Sequence, residues 1–217
     1  MIILIFTAGC GNTLRYASRD LNTQTASHRQ IAILPPVISY TGPIPPDMSK
    51  QEQMAIDIGE SRMYQNSLYN FLLRKSYKNV RVDMQPIEKT NSLLKNANIS
   101  LHESWRMDPQ VLANILEVDA VIRLQVDESR YMSDLAGLGI DAGRAVFNSI
   151  LWGGPGFLYP APVTRTADIR SSCSIFDAKD GSLIWKMGVI RSANWSQLPE
   201  MVVDDVNRKF ARNFPYR

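Results

Sequence analysis

Cysteine and histidine are scarce in this chain. Its 217 residues hold two cysteines, Cys10 and Cys173, and two histidines, His28 and His102. Without a CxxC pair, neither a zinc knuckle nor a thioredoxin-like redox couple is available. His102-Glu103-Ser104-Trp105 begins like a zinc-protease helix, but Arg106 stands where the second histidine belongs. A G-x-S-x-G nucleophile elbow is also missing. Gly153-Gly154-Pro155-Gly156 lacks the Gly-Lys-Ser/Thr ending of a phosphate loop. Gly137-Leu138-Gly139 is followed by Ala142 where a dinucleotide fingerprint needs its third glycine. Asp204 and Asp205 are neighbours on an expected helix, so their carboxylates point different ways. These gaps leave no expected catalytic residue, metal ligand or cofactor.

Charge of one sign is equally thin. The 24 basic and 21 acidic residues leave a net charge of +3. Arg74, Lys75 and Lys78 come closest to a cluster, and the end of an expected helix explains them through its dipole. A nucleic-acid partner is therefore not expected. Hydrophobic residues make up 45% and charged residues 21%, which supports an ordinary packed core.

The amino terminus is the first positive signal. Met-Ile-Ile-Leu-Ile-Phe-Thr-Ala-Gly precedes Cys10. The run is well short of the roughly 20 apolar residues that span a membrane. Its Thr7-Ala8-Gly9-Cys10 end resembles a bacterial lipobox, in which small residues precede a cysteine that receives a diacylglycerol. Thr7 replaces the usual aliphatic residue, and no Lys or Arg precedes the run. Residues 1–9 thus read as the cut-short remainder of an export signal. Residues 10–30, rich in polar side chains, read as a lipidated tether. Lipidation of Cys10 anchors the chain to a membrane, and Cys173 is expected not to pair with it. The competing reading is a buried amino-terminal strand over Ile2–Phe6.

Residues 31–217 read as one α/β (α+β) domain with a single mixed sheet and flanking helices. Ile31–Leu34 forms a buried strand that leaves the sheet at Pro35-Pro36. A long helix spans 49–75, capped by Ser49 with Glu52, and packs through Met54, Ile58, Leu68, Phe71 and Leu72. A strand at 80–84 precedes a helix opened by Pro86. Asp108-Pro109 starts another helix, and 119–126 is the next strand. Residues 167–175 and 183–193 alternate as a hairpin around Asp180-Gly181, with Trp185 buried. Leu198, Val202, Val206 and Phe210 recur every four residues on a last helix.

The insertion at 132–159 is apolar yet broken by glycines. It carries Phe147, Ile150, Leu151, Trp152, Phe157 and Tyr159, residues of the kind that fill partner or oligomer surfaces. A buried helix with a glycine-rich exit, an oligomer contact and a membrane contact all remain open readings of it.

Three short segments share a pattern: Ile31-Ala32-Ile33-Leu34-Pro35-Pro36, Asp119-Ala120-Val121-Ile122, and Asp180-Gly181-Ser182-Leu183-Ile184-Trp185. With them the chain resembles bacterial lipoproteins whose body is like the amino-terminal domain of TolB, a group related in fold to CsgG-type secretion lipoproteins. The resemblance covers about residues 31–213. It implies an envelope-anchored, non-enzymatic binding or assembly module at the outer membrane, one that serves secretion or transport and self-associates or binds other envelope proteins. A CsgG-like secretion pore subunit is the alternative, although the long amphipathic hairpins of such pores have only the insertion at 132–159 as a counterpart. A periplasmic enzyme is the second alternative.

Overall fold

The computed structural model describes residues 15–41, 49–76, 81–130, 167–193 and 199–216. The described elements in chain order are β1 (Arg15–Ala17), α1 (Leu21–Ser27), β2 (Gln30–Ile33), β3 (Val37–Thr41), α2 (Lys50–Ser76), β4 (Asp83–Met84), α3 (Ile87–Asn96), α4 (Leu101–Arg106), α5 (Pro109–Leu116), β5 (Ala120–Arg130), β6 (Ala167–Asp177), β7 (Leu183–Ala193) and α6 (Pro199–Arg212). The strands form one mixed sheet in the order β1-β7-β6-β5-β2-β4, with β3 pairing β5 beyond β2. The α/β expectation therefore holds.

The sheet separates two apolar layers, as strand alternation requires. In β2, Ile31 and Ile33 face the layer of α2 and α6, while Ala32 and, just past the strand, Leu34 face that of α3 and α5. In β5, Ala120, Ile122, Leu124 and Val126 take the first side and Val121 the second. The β6–β7 hairpin has the expected antiparallel register, from Ala167 opposite Ala193 to Ile175 opposite Trp185. Trp185 is 5% exposed and meets Phe214 edge-on at a centroid distance of 6.4 Å. Gly181 closes the hairpin at φ +70°, in the left-handed region that favours glycine. A Cβ there would lie 3.3 Å from Asp108 Oδ1, so the turn also abuts the cap of α5. Asp108 caps that helix as expected, accepting from the backbone N–H groups of Gln110 and Val111.

The structure departs from the sequence reading at four places. The tether was drawn through residue 30, yet Arg15–Ala17 pairs with Trp185–Met187 as a sheet edge, and α1 follows it. Polar composition misled there, because a one-sided edge strand and a surface helix need few apolar residues. At the second place the chain does not leave the sheet at Pro35-Pro36. Val37–Thr41 resumes parallel pairing with Gln125–Ser129. Between the pairs Ile33–Ile122 and Val37–Gln125 the β2–β3 side has one residue more than β5, so the prolines sit in a bulge.

At the third place, residues 101–106, for which the sequence reading drew no element, form α4 and carry His102. Ser100 and Glu103 form a reciprocal capping box at its start. The fourth departure concerns α2. Its buried line runs Ile56, Glu60, Tyr64, Leu68, Leu72 at steps of four. Four residues turn about 400°, so this line drifts around the axis. Leu68 and Leu72 are core as expected, but Met54 is 62% and Ile58 47% exposed.

Candidate functional site

Among the described residues, His28, Asp177, Tyr216 and Cys173 are drawn into the fold, while His102 is exposed on α4. His28, assigned to the tether by sequence, is 6% exposed. Its Nδ1 lies 2.7 Å from the Tyr216 hydroxyl and its Nε2 3.5 Å from Asp177 Oδ2. A proton on Nε2 suits both contacts, with the phenol donating to Nδ1. Burial, then the nearby Asp177 and Asp119 carboxylates, push the Tyr216 phenol far above its ordinary range. The phenol therefore stays protonated. Phe214 stacks on Tyr216 at 5.1 Å and seals the group. Asp119 receives the backbone N–H groups of Arg29 and Gln30 and pins the start of β2 beside β5. A Tyr–His–Asp chain could relay a proton, but here it clasps the last residues to the start of β2 and the end of β6.

Cys173 is 1% exposed on the inner face of β6 with a free thiol. Burial alone pushes that thiol up, which removes the thiolate a nucleophile needs. Arg123, also half-hidden from sequence, reaches from β5 under α4. Its Nη2 donates to the Ser104 carbonyl at 3.0 Å and the Met107 carbonyl at 2.6 Å. Its guanidinium lies over Phe176 and Trp105 at 5.2 and 5.9 Å. Burial lowers its pKa, and Asp108 opposes that shift. These carbonyls belong to the ends of α4 and the link to α5, so Arg123 ties both helices to the sheet.

An open feature lies at the sheet edge beyond β4, where α2 and α3 approach across the proline bulge. The β4 pairing ends where Ile31 O accepts from Gln85 N. Past it the edge carbonyls have no strand partner: Ile33 O accepts from Gln65 Nε2 at 2.8 Å, and Pro36 O, in the bulge, from Ser61 Oγ at 2.8 Å. Side chains of α2 thus replace the missing strand and satisfy the edge. Gln65 and Asn91 bond reciprocally at 3.1 Å and join α2 to α3. Above them opens a groove of about 270 Å³ lined by Pro35, Ile58, Arg62, Leu94, Lys95 and Leu101, among others. Sequence patterning gave no sign of it, since its walls come from four separate segments.

No group of three His, Cys, Asp or Glu side chains is placed to hold a metal ion among the described residues. Nor is any helix among them long and apolar enough to cross a membrane. The expected lipidation residue, Cys10, lies outside the described residues. So do the expected partner-surface residues Phe147, Ile150, Leu151, Trp152, Phe157 and Tyr159.

No family model and no curated protein matches the chain. Solved structures similar to it include the lipoprotein GNA1162 of Neisseria meningitidis, with a TM-score of 0.46 at 13% identity, covering 85% of this chain and 98% of that one. A PelC dodecamer from Paraburkholderia phytofirmans gives a TM-score of 0.42 at 10% identity, covering 95% and 99%. The LpoB carboxy-terminal domain from Salmonella enterica gives 0.38 at 8%, covering 76% and 83%.

Proposed function

We propose that this chain is a lipid-anchored envelope protein of the TolB amino-terminal-like, CsgG-related kind, whose α/β domain is a non-catalytic binding and assembly module. The observation that carries the reading is the commitment of His28, Tyr216, Asp177 and Cys173 to packing, each 6% exposed or less. A catalytic centre needs such groups convergent in an accessible cleft. Here His28, Tyr216 and Asp177 hold the sheet ends together and Cys173 packs in the core, while the open groove offers apolar walls and cations. The small-small-cysteine run at Thr7–Cys10 supports the anchor, and the resemblance to CsgG-type lipoproteins supports an outer-membrane position for it. The aromatic and glycine content of residues 132–159 supports self-association or a partner contact there, in a secretion or transport assembly.

Two measurements test this. The mass of the mature amino terminus from cell envelopes should show a lipidated Cys10, and an unmodified Cys10 defeats the anchor. Replacing Ile150 and Trp152 with Ser should lower the association state in sedimentation without changing the melting temperature. A fallen melting temperature with unchanged association assigns those residues to the core instead.

A further inference from the structure

Resting on the reading of the domain as a binding module, we infer that the groove between α2 and α3 docks an acidic amphipathic peptide segment of a partner protein. Its flanks are apolar, over a floor formed by the mutually bonded Gln65 and Asn91 amides. Ile58, Leu94, Ile99, Leu101 and Pro35 line it, and the exposed Met54 extends the same flank one turn further along α2. Two exposed large apolar side chains at i and i+4 on a helix are the pattern that an amphipathic segment covers.

The rim supplies the sign of the partner's charge. Arg62 on α2 and Lys95 on α3 are exposed, and the lining holds no carboxylate. Neither cation has an ion-pair partner among the described residues. Other exposed cations such as Lys186 also lack an ion pair among the described residues, so what sets Arg62 and Lys95 apart is that both flank one groove whose lining holds no carboxylate. A segment that buries one or two apolar side chains between α2 and α3, with Glu or Asp flanking them, complements both flanks and rim.

The groove is open along its length, which favours a segment lying across it over an engulfed small ligand. Pockets that engulf drug-sized molecules run from about 300 to 1,000 Å³. At about 270 Å³ this groove suits a pair of side chains from a segment lying across it. The rim contacts set orientation and capture rate, and the apolar contacts set residence. Binding should therefore weaken as salt rises, because exposed charges are screened over about 10 Å at 0.1 M.

The test uses the full chain and a fluorescein-labelled amphipathic helical peptide of about 14 residues, Leu on one face and Glu on the other. Its counterpart with Lys for Glu serves as the charge control. Fluorescence anisotropy should show saturable binding of the acidic peptide alone. The pair Arg62→Glu and Lys95→Glu should weaken it by about tenfold or more, as each 1.4 kcal/mol lost is tenfold. Ile58→Ser should do the same. The pair Arg170→Glu and Lys186→Glu, exposed on β6 and β7 away from the groove, should leave it unchanged. Absence of saturable binding up to about 1 mM overturns the proposal. So does equal weakening by both charge pairs, or indifference to Ile58→Ser. Loss of oligomers on Ile58→Ser would assign the groove to a second copy of the chain and overturn it too. Each of these failures leaves the Cys10 mass and the Ile150/Trp152 sedimentation results standing, so the wider reading is judged separately.

Discussion

The two faces of the sheet are covered by different means. On the face of α2 and α6, the contact is made by large apolar side chains: Leu68 and Leu72 from α2, Val202, Val206 and Phe210 from α6, and Ile122, Leu124, Ile175 and Met187 from the sheet. On the face of α3, α4 and α5 the apolar patch is smaller, around Leu34, Leu94, Leu112, Leu116 and Val121. There, buried polar groups complete the attachment. Gln85 Nε2 donates to the Leu116 carbonyl, Thr90 Oγ1 to Gln85 Oε1, and Arg123 to the carbonyls of Ser104 and Met107. Apolar burial is strong but non-directional. Hydrogen bonds add about 1 kcal/mol each and fix position. The second face is thus held in place at few points, which leaves a groove open beside it.

The contrast can be broken first on the apolar face. Trp185→Ala should destabilise the chain by about 3–5 kcal/mol, the range for a large aromatic truncated in a core. Urea unfolding monitored by far-UV circular dichroism gives the value, and a loss below about 1 kcal/mol would show that Trp185 is not a core residue. On the polar face, Arg123→Ala should cost about 1.5–3 kcal/mol, because two helix-end carbonyls lose a charged donor. Amide exchange should then quicken across α4 and α5 before it does across α2. Uniform quickening would mean that Arg123 does not tie that layer locally.

Smaller effects sharpen the same comparison. Tyr216→Phe removes the bond to His28 and should cost about 0.5–1.5 kcal/mol at neutral pH. Its pH signature follows from the raised phenol. The folded chain keeps that proton after the unfolded chain has lost it near pH 10, so stability is full below about pH 10 and falls above it. In Tyr216→Phe the decline between about pH 9.5 and 11 should be shallower. Part of the slope should persist, because the Cys173 thiol is also raised by burial. Identical alkaline slopes for the two proteins would show that the phenol is accessible. The smallest effect is expected at Met54→Ser, within about 0.5 kcal/mol, since it removes little buried surface. A loss above about 2 kcal/mol would place Met54 in the core after all.

Elements with strong local signals were legible in the sequence. Asp108-Pro109 was readable as a helix start because cap and proline act within one turn. The β6–β7 hairpin was readable because alternation and an Asp-Gly turn agree. Ser100-x-x-Glu103 carries the capping box of α4 within four residues, although the same Glu103 also follows His102 as in a zinc motif. The exposure of Met54 and Ile58 was not legible. A count at 100° per residue aligns Met54 with Leu72, whereas the tilt of α2 across the sheet decides which residue of each turn is covered.

The sequence by itself determined the alternation of strands and helices, the turn at Gly181 and the mixed α/β class, because periodicity, caps and turn residues act over a few positions. Only the tertiary structure decided that His28 meets Tyr216, that Gln65 and Ser61 close a sheet edge, and that Arg62 and Lys95 flank one groove. Those pairs are joined by chain crossovers, and no local pattern encodes how far a crossover carries a side chain toward its partner. His28 shows the reason most directly: polar neighbours gave it the look of a tether, and a carboxylate and phenol from beyond residue 170 gave it a buried place.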